Sequence, residues 1–249
     1  MEIINLTQSP ALSTRSKRKL KKTEATLLPR NEKGNGSKRH KQKDYKTNAH
    51  SLDLLKVLGR NEFKAHNQGS EPTCTAHAVT AVHEILIGKR LHFRDIVTGR
   101  EVDEDGTTVT KLSRILHKKG QREKSKSGKV LPTWHKLRFK SVDIGISTVK
   151  KALKRGLPIV AGVLNFTTNG VAVANLTLKN SKNADSGKHS IVITGYDERG
   201  NSEGGGLLKV LNSHGNSWGN DGFGTMSYGF FLANAIEIHV PAVAKKKKA

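Results

Sequence analysis

The chain has 249 residues, with 44 Lys plus Arg against 21 Asp plus Glu, 35% hydrophobic content and one cysteine. That length suits one domain of about 100–200 residues with tails, or two small lobes, and does not fit several independent domains. A single thiol excludes an intramolecular disulfide, and no stretch approaches the roughly 18 apolar residues that mark a membrane-spanning helix.

The charge is unevenly placed. Residues 1–49 hold 13 Lys or Arg and four Asp or Glu, and residues 245–248 are four lysines, so the two ends carry +13 of the net +23. Before Leu52 the apolar residues Ile3, Ile4, Leu6, Leu20, Leu27 and Leu28 are scattered among polar neighbours. Burial of so few side chains cannot offset the entropy of ordering, so 1–49 reads as a basic, mostly disordered N-terminal arm and 245–249 as a basic tail. Such ends attract nucleic acid or another polyanion whatever its sequence, and a solubilising tail is the plainer reading. Residues 1–14 have no long apolar run, so no standard secretory signal is expected. An intracellular location, cytoplasmic or in a virion, is the expectation.

The organised body is expected at 50–244. Leu52, Leu54, Leu55 and Leu58 form an apolar cluster that packs on a core. From Cys74, the residues Ala78, Val79, Val82, Ile85 and Leu86 recur at helical spacing, with Pro72 and Thr73 before the first turn and Gly88 as the stop. A second helix is expected over 108–119, with Val109, Leu112, Ile115 and Leu116 on one side and Gly120 after it. The stretch 121–129 is polar, basic and rich in Ser and Gly, and reads as a loop. A third helix is expected over 148–155, with Ser147 as N-cap and Gly156 as C-cap.

The second half changes period. Residues 157–163 form a compact apolar run suited to a buried strand. Residues 171–178 alternate weakly, and 189–196 and 207–211 are dense in Ile, Val and Leu. Gly200 and Gly204, Gly205 and Gly206 mark the turn between those two strands, and 223–230 and 235–240 complete a strand-rich region. Helices followed by strands predict an α+β fold, with a helical lobe mainly in 50–130 against an antiparallel sheet or barrel-like lobe mainly in 131–244.

The chemistry begins with the thiol. Cysteine is nucleophilic mainly as thiolate, a form favoured by a helix N-terminus and a nearby imidazolium. Cys74 stands at the first turn of its helix, but alone it reads more often as a buried structural thiol. His189 alone is an ordinary strand histidine, Asn212 a turn former and Gln68 a loop residue.

Three separated segments resemble the papain-like cysteine peptidases. The first is Asn67-Gln68-Gly69-Ser70-Glu71-Pro72-Thr73-Cys74-Thr75-Ala76, with the family's spacing from Gln to Cys. The second, Gly187-Lys188-His189-Ser190-Ile191-Val192-Ile193-Thr194-Gly195-Tyr196, is similar to the strand that begins with the catalytic His. The third, Asn212-Ser213-His214-Gly215-Asn216-Ser217-Trp218-Gly219-Asn220-Asp221-Gly222-Phe223, follows the Asn-Ser-Trp-Gly, Trp-Gly and Gly-aromatic pattern. The resemblance implies a two-lobed fold with a cleft. It also implies Cys74 as nucleophile, His189 as general base and acid, and Asn212 as the residue orienting His189. Gln68 and the Cys74 backbone N–H would form the oxyanion hole, with Trp218 as a supporting screen. The implied partner is a protein or peptide substrate.

Departures from the pattern are specific. Thr75 stands where an aromatic residue commonly follows the nucleophile, His214 replaces the first Trp, and Glu71 replaces a disulfide cysteine. The Cys-Thr-Ala phrase and Asp105-Gly106-Thr107-Thr108 resemble a disulfide-free subgroup of microbes and viruses. Lys188, next to His189, would disfavour an imidazolium if its charge lay close. His77 and His83 share the Cys74 helix and are expected to pack on its faces. The N-terminal block is shorter than the family's usual propeptide and reads as a persistent basic arm, with a cleft-blocking segment as the other reading.

The expected function is a cysteine-type endopeptidase acting through an acyl-enzyme. The alternative is a basic nucleic-acid-binding or structural protein with a catalytically impaired papain-like fold. Acyl transfer to another nucleophile is a third possibility. Lone Cys and scattered His residues lack metal-ligand spacing, and no Gly-rich phosphate motif is present, so neither metal nor cofactor is expected. Aromatic residues are 5% of the chain and do not interleave with the basic arm, so contact with nucleic acid is expected through phosphates.

Overall fold

A computed structural model describes residues 50–97, 107–164, 167–168, 171–172, 174–181 and 187–242. The expected arm at 1–49, the tail at 245–249 and the Asp105-Gly106 pair lie outside the described residues.

Strand β1 (Ser51–Asp53) runs straight into helix α1 (Leu54–Val57), which Asp53 caps by accepting from the Lys56 N–H at 3.3 Å. Helix α2 (Cys74–Ile87) ends at Gly88, whose φ of 69° gives the left-handed C-cap that glycine adopts without a Cβ penalty. Strand β2 (Arg90–Leu91) and a 3-10 helix (Phe93–Asp95) follow. Helix α3 (Val109–Lys118) starts on Thr108, whose hydroxyl accepts from the Lys111 N–H, and ends on His117 and Lys118, which suit the negative end of the dipole.

The 121–129 loop expected from composition is instead a hairpin. Strand β3 (Gln121–Lys124) turns through 125–129 and pairs antiparallel with β4 (Val130–His135). Its polar composition misleads because Gln121 is fully buried and bonded, Arg122 bonds Asp95 and Glu123 pairs with Lys89 and His135. Strand β5 (Phe139–Val142) leads to helix α4 (Ile146–Lys154), which begins two residues earlier than expected, with Gly145 rather than Ser147 as N-cap. Strand β6 (Ile159–Leu164) is the buried strand expected at 157–163. Short strands β7 (Thr167–Thr168), β8 (Val171–Ala172) and β9 (Asn175–Leu176) precede α5 (Leu178–Ser181).

Strands β10 (Lys188–Asp197) and β11 (Leu207–Leu211) pair antiparallel, as the apolar runs predict. The strand-rich reading of 223–230 needs correction. Strand β12 (Phe223–Ser227) passes directly into helix α6 (Tyr228–Asn234), with the Ser227 hydroxyl accepting from the Phe230 N–H, before β13 (Ala235–Pro241).

The eight-stranded sheet runs β5-β13-β6-β10-β11-β12-β9, with β1 added on β10. Its pairs are antiparallel except β12 with β9. Strand β10 is flanked along its first half by β6 and at its end by β1, where a Cβ on Gly195 would run into the Leu52 carbonyl. The first strand of the described chain thus belongs to the sheet completed by the last.

Helix α2 lies between that sheet and the smaller β2-β3-β4 sheet, and contacts α3 as well. Every residue from Thr75 to Leu86 is buried, so the single apolar face seen in sequence is only part of its packing. Val79, Val82 and Ile85 are fully buried, each worth about 1.5–3 kcal/mol relative to exposure. The polar flank meets long-range partners at most of its atoms, His77 Nε2 being buried without one. His83 Nδ1 bonds Gln121 Oε1 at 3.1 Å, and Glu84 accepts from the Leu91 N–H at 2.7 Å and pairs with Arg90 at 2.9 Å. His77 Nδ1 lies 2.9 Å from His66 Nδ1, and His66 Nε2 lies 2.9 Å from Glu84. His77 and His83 are therefore packed within the lobe.

Candidate active site

Four segments converge at the start of α2: the 66–73 loop, the helix itself, the first residues of β10 and the loop after β11. Cys74 is the first helical residue and half-buried, where the first backbone N–H groups of a helix lack intrahelical acceptors. Its sulfur lies 4.0 Å from Thr75 Oγ1. Thr75 is buried, and its hydroxyl meets the Ser190 hydroxyl at 2.9 Å. The residue after the cysteine is thus tied to the residue after His189.

His189 is the second residue of β10, opposite Val163 of β6. Its Nε2 lies 2.7 Å from Asn212 Oδ1. Asn212 follows β11 directly and is held by its own N–H donating to Gly222 O at 3.0 Å. The same Oδ1 accepts from the Ser213 N–H at 2.8 Å, which fixes the orientation of the amide. An oxygen only accepts, so Nε2 carries the proton and Nδ1 holds the lone pair of the neutral ring. Burial holds the His189 pKa below its usual value, and the bond to Asn212 offsets part of that shift.

Lys188 is exposed, and strand alternation turns its side chain to the opposite face from His189. Burial is the larger cause of the His189 shift, and the Asn212 bond opposes it. His214 does face His189, with ring centroids 5.0 Å apart at 54°. Burial lowers the His214 pKa, and the neighbouring His189 lowers it further. Two imidazoles this close oppose each other's protonation.

Gln68 is held by the Asn212 loop. Its N–H donates to Ser213 O at 2.8 Å, and its Oε1 accepts from the Ser213 hydroxyl at 2.6 Å. Its Nε2 donates to Glu71 O at 2.9 Å, leaving a second N–H on that nitrogen. Asn67 and His214 form an antiparallel bridge, and the Gly215 N–H donates to His66 O at 2.8 Å. Gly215 has φ 76°, and a Cβ there would press on Asn67 at 3.2 Å, so glycine serves both needs. Trp218 is 7% exposed and lies against Gly224 of β12, where a Cβ would run into its ring. Glu71, in place of the disulfide cysteine, pairs with Arg94 at 2.7 Å on the surface, worth little in water.

The structure therefore bonds His189 to Asn212, Gln68 to the residue after Asn212, and the Cys74 helix to the His189 strand. Sequence reasoning passed over Ser190 and Ser213. Both sit immediately after a motif residue, and that adjacency was the available signal. Among the described residues, no group of three or more His, Cys, Asp or Glu is placed to hold a metal ion, and no helix is long and apolar enough to cross a membrane.

No family model matches the chain, and no curated protein matches by sequence. Solved structures do match. Xylellain, a cysteine protease from Xylella fastidiosa, superposes with TM-score 0.61 at 19% identity, over 78% of this chain and 86% of that one. The Amb a 11 cysteine protease, a major ragweed pollen allergen, matches in its proform with TM-score 0.62 at 16% identity, over 80% of this chain and 66% of that one. The Carica candamarcensis cysteine protease CMS1MS2, in complex with E-64, matches with TM-score 0.59 at 13% identity, over 79% of this chain and 99% of that one. The chain has the papain-like α+β fold that its motifs led one to expect.

Proposed function

We propose that the protein is a cysteine-type endopeptidase with Cys74 as nucleophile, His189 as general base and acid, and Asn212 as the positioning residue for His189. The observation that carries this reading is the His189 Nε2 to Asn212 Oδ1 bond of 2.7 Å, which leaves Nδ1 as the basic nitrogen of a ring whose strand is tied to the Cys74 helix through Thr75 and Ser190. In this reading the thiol proton passes to His189 and the sulfur attacks the peptide carbonyl carbon. The carbonyl π electrons move onto oxygen, where the Cys74 N–H and the second Gln68 N–H stabilise the oxyanion. Collapse breaks the C–N bond, and His189 gives its proton to the departing amine. Water, deprotonated by His189, then attacks the thioester, releasing the carboxylic product and restoring the thiol pair. Trp218 would limit water around the His189–Asn212 bond, which a drier surrounding strengthens.

An epoxide or vinyl-sulfone probe followed by peptide mapping tests the assignment. Covalent label on Cys74, abolished by His189→Ala with the protein still folded, is the expected result. An unlabelled Cys74 in folded, reduced protein removes the reading.

The basic ends support a second role beside peptidase chemistry: residues 1–49 and 245–249 hold +13 of the charge and would concentrate the protein on nucleic acid. Salt titration of DNA binding by the full chain and by a chain lacking 1–49 tests this, and affinity unchanged by the deletion removes it.

A further inference from the structure

The charge of the body is as uneven as that of the whole chain. Residues 118–140 hold nine Lys or Arg and one Glu, a net +8, whereas all of 50–244 carries +10. These residues form the end of α3, the β3–β4 hairpin and the start of β5. The inner face of the hairpin is anchored on α2, where the fully buried Gln121 donates to Thr80 Oγ1 at 2.7 Å and meets His83 at 3.1 Å. Thr80 and His83 lie about 9 and 14 Å along the helix from Cys74 by helical rise, so the hairpin is a separate surface from the thiol.

The outer face carries Trp134, directly opposite Arg122 in the strand register and 43% exposed. Arg122 Cζ and Lys119 Nζ stand 5.3 and 5.8 Å from the indole centroid. Arg122 is itself held by Asp95, a buried carboxylate that accepts from its guanidinium at 2.6 Å and from its backbone N–H at 2.8 Å. The ring is therefore positioned before any ligand arrives. Lys118, Lys124, Lys126, Lys129, Lys136 and Lys140 have no acidic partner among the described residues. An anion with several charges relieves their mutual repulsion, and phosphates gain further from counterion release. An exposed aromatic ring within such a field adds what a carboxylate-rich partner cannot use: a platform for an unstacked base.

We propose that the outer face of the β3–β4 hairpin binds single-stranded nucleic acid, with one base on Trp134 and phosphates on the lysines around it. This surface is independent of the peptidase reading and of the terminal arms. Tryptophan emission reports it locally in the full chain, because the other tryptophan, Trp218, is buried. Oligo(dT) quenches the emission with a midpoint that rises with salt, while heparin, which has charge but no bases, does not. An iodouracil-bearing oligo(dT) cross-links to Trp134 on irradiation. Trp134→Ala loses the cross-link and weakens oligo(dT) binding on the order of tenfold, and Trp134→Phe restores most of it. Absence of quenching with cross-links confined to 1–49 and 245–249 overturns the proposal. So does equal quenching by heparin or polyglutamate, which would make the face a dock for acidic polymers in general.

Discussion

Thr75 on α2 and Ser190 on β10 share a hydrogen bond of 2.9 Å between two hydroxyls 115 residues apart. Each is the immediate neighbour of a motif residue, Cys74 or His189. The residue that follows Cys74 thus bonds across to the sheet. Thr75→Val or Ser190→Ala leaves one buried hydroxyl without a partner and costs about 1–3 kcal/mol of stability. The double variant Thr75→Val/Ser190→Ala costs less than the sum, because both ends are then apolar. Denaturant unfolding of the four proteins measures the coupling, and additive losses would remove the bond from the account.

Asn212 orients His189 through one oxygen that also accepts from the Ser213 N–H. His189→Ala lowers kcat about 10²–10⁴-fold on a fluorogenic peptide. Asn212→Ala lowers kcat by less, with KM nearly unchanged, because the base is present but free to turn. Asn212→Asp places a carboxylate at the same position and raises the His189 pKa, which imidazole NMR titration reads directly.

Ser213 holds the Gln68 amide by its oxygen at 2.6 Å. If the proposed mechanism holds, Gln68→Ala removes a donor from the developing oxyanion and lowers kcat about 10²–10³-fold. Ser213→Ala keeps the donor and loosens its aim, so its loss of kcat is smaller. Simple alkylation by iodoacetamide forms no oxyanion, and its rate at Cys74 stays the same in both variants.

Histidines that fold neutral should make this protein lose stability in acid. Burial is the main cause that lowers His77 to about 3 and His83 to about 4, from 6.5 in the unfolded chain. Below about pH 6.5 the unfolded chain takes up protons that the native chain refuses. The stability these residues contribute is therefore full above that pH and is lost as the pH falls through the native values. The midpoint of thermal unfolding should fall steadily from neutral pH toward pH 4, and His83→Gln should flatten the curve over that interval. A parallel curve for His83→Gln would assign the acid loss to other groups.

The sequence by itself determined the order and spacing of Gln68, Cys74, His189 and Asn212, and the helical period of α2 and α3, because these depend on near neighbours and on residue chemistry. It also placed the apolar runs of β6, β10 and β11. What surrounds α2 on its polar side was decided only in three dimensions. His77, His83 and Glu84 are buried where His66, Gln121 and Arg90 arrive from other segments to meet them. Residues 228–230, the first turn of α6, read as the end of a strand because a seven-residue apolar-rich helix is too short for periodicity to separate the two. The 121–129 segment read as a loop because Gln121, Arg122 and Glu123 find their partners Thr80, Asp95 and Lys89 only in distant segments. Local composition reports what a residue is; whether a polar group meets water or a partner depends on which distant strand the topology lays beside it.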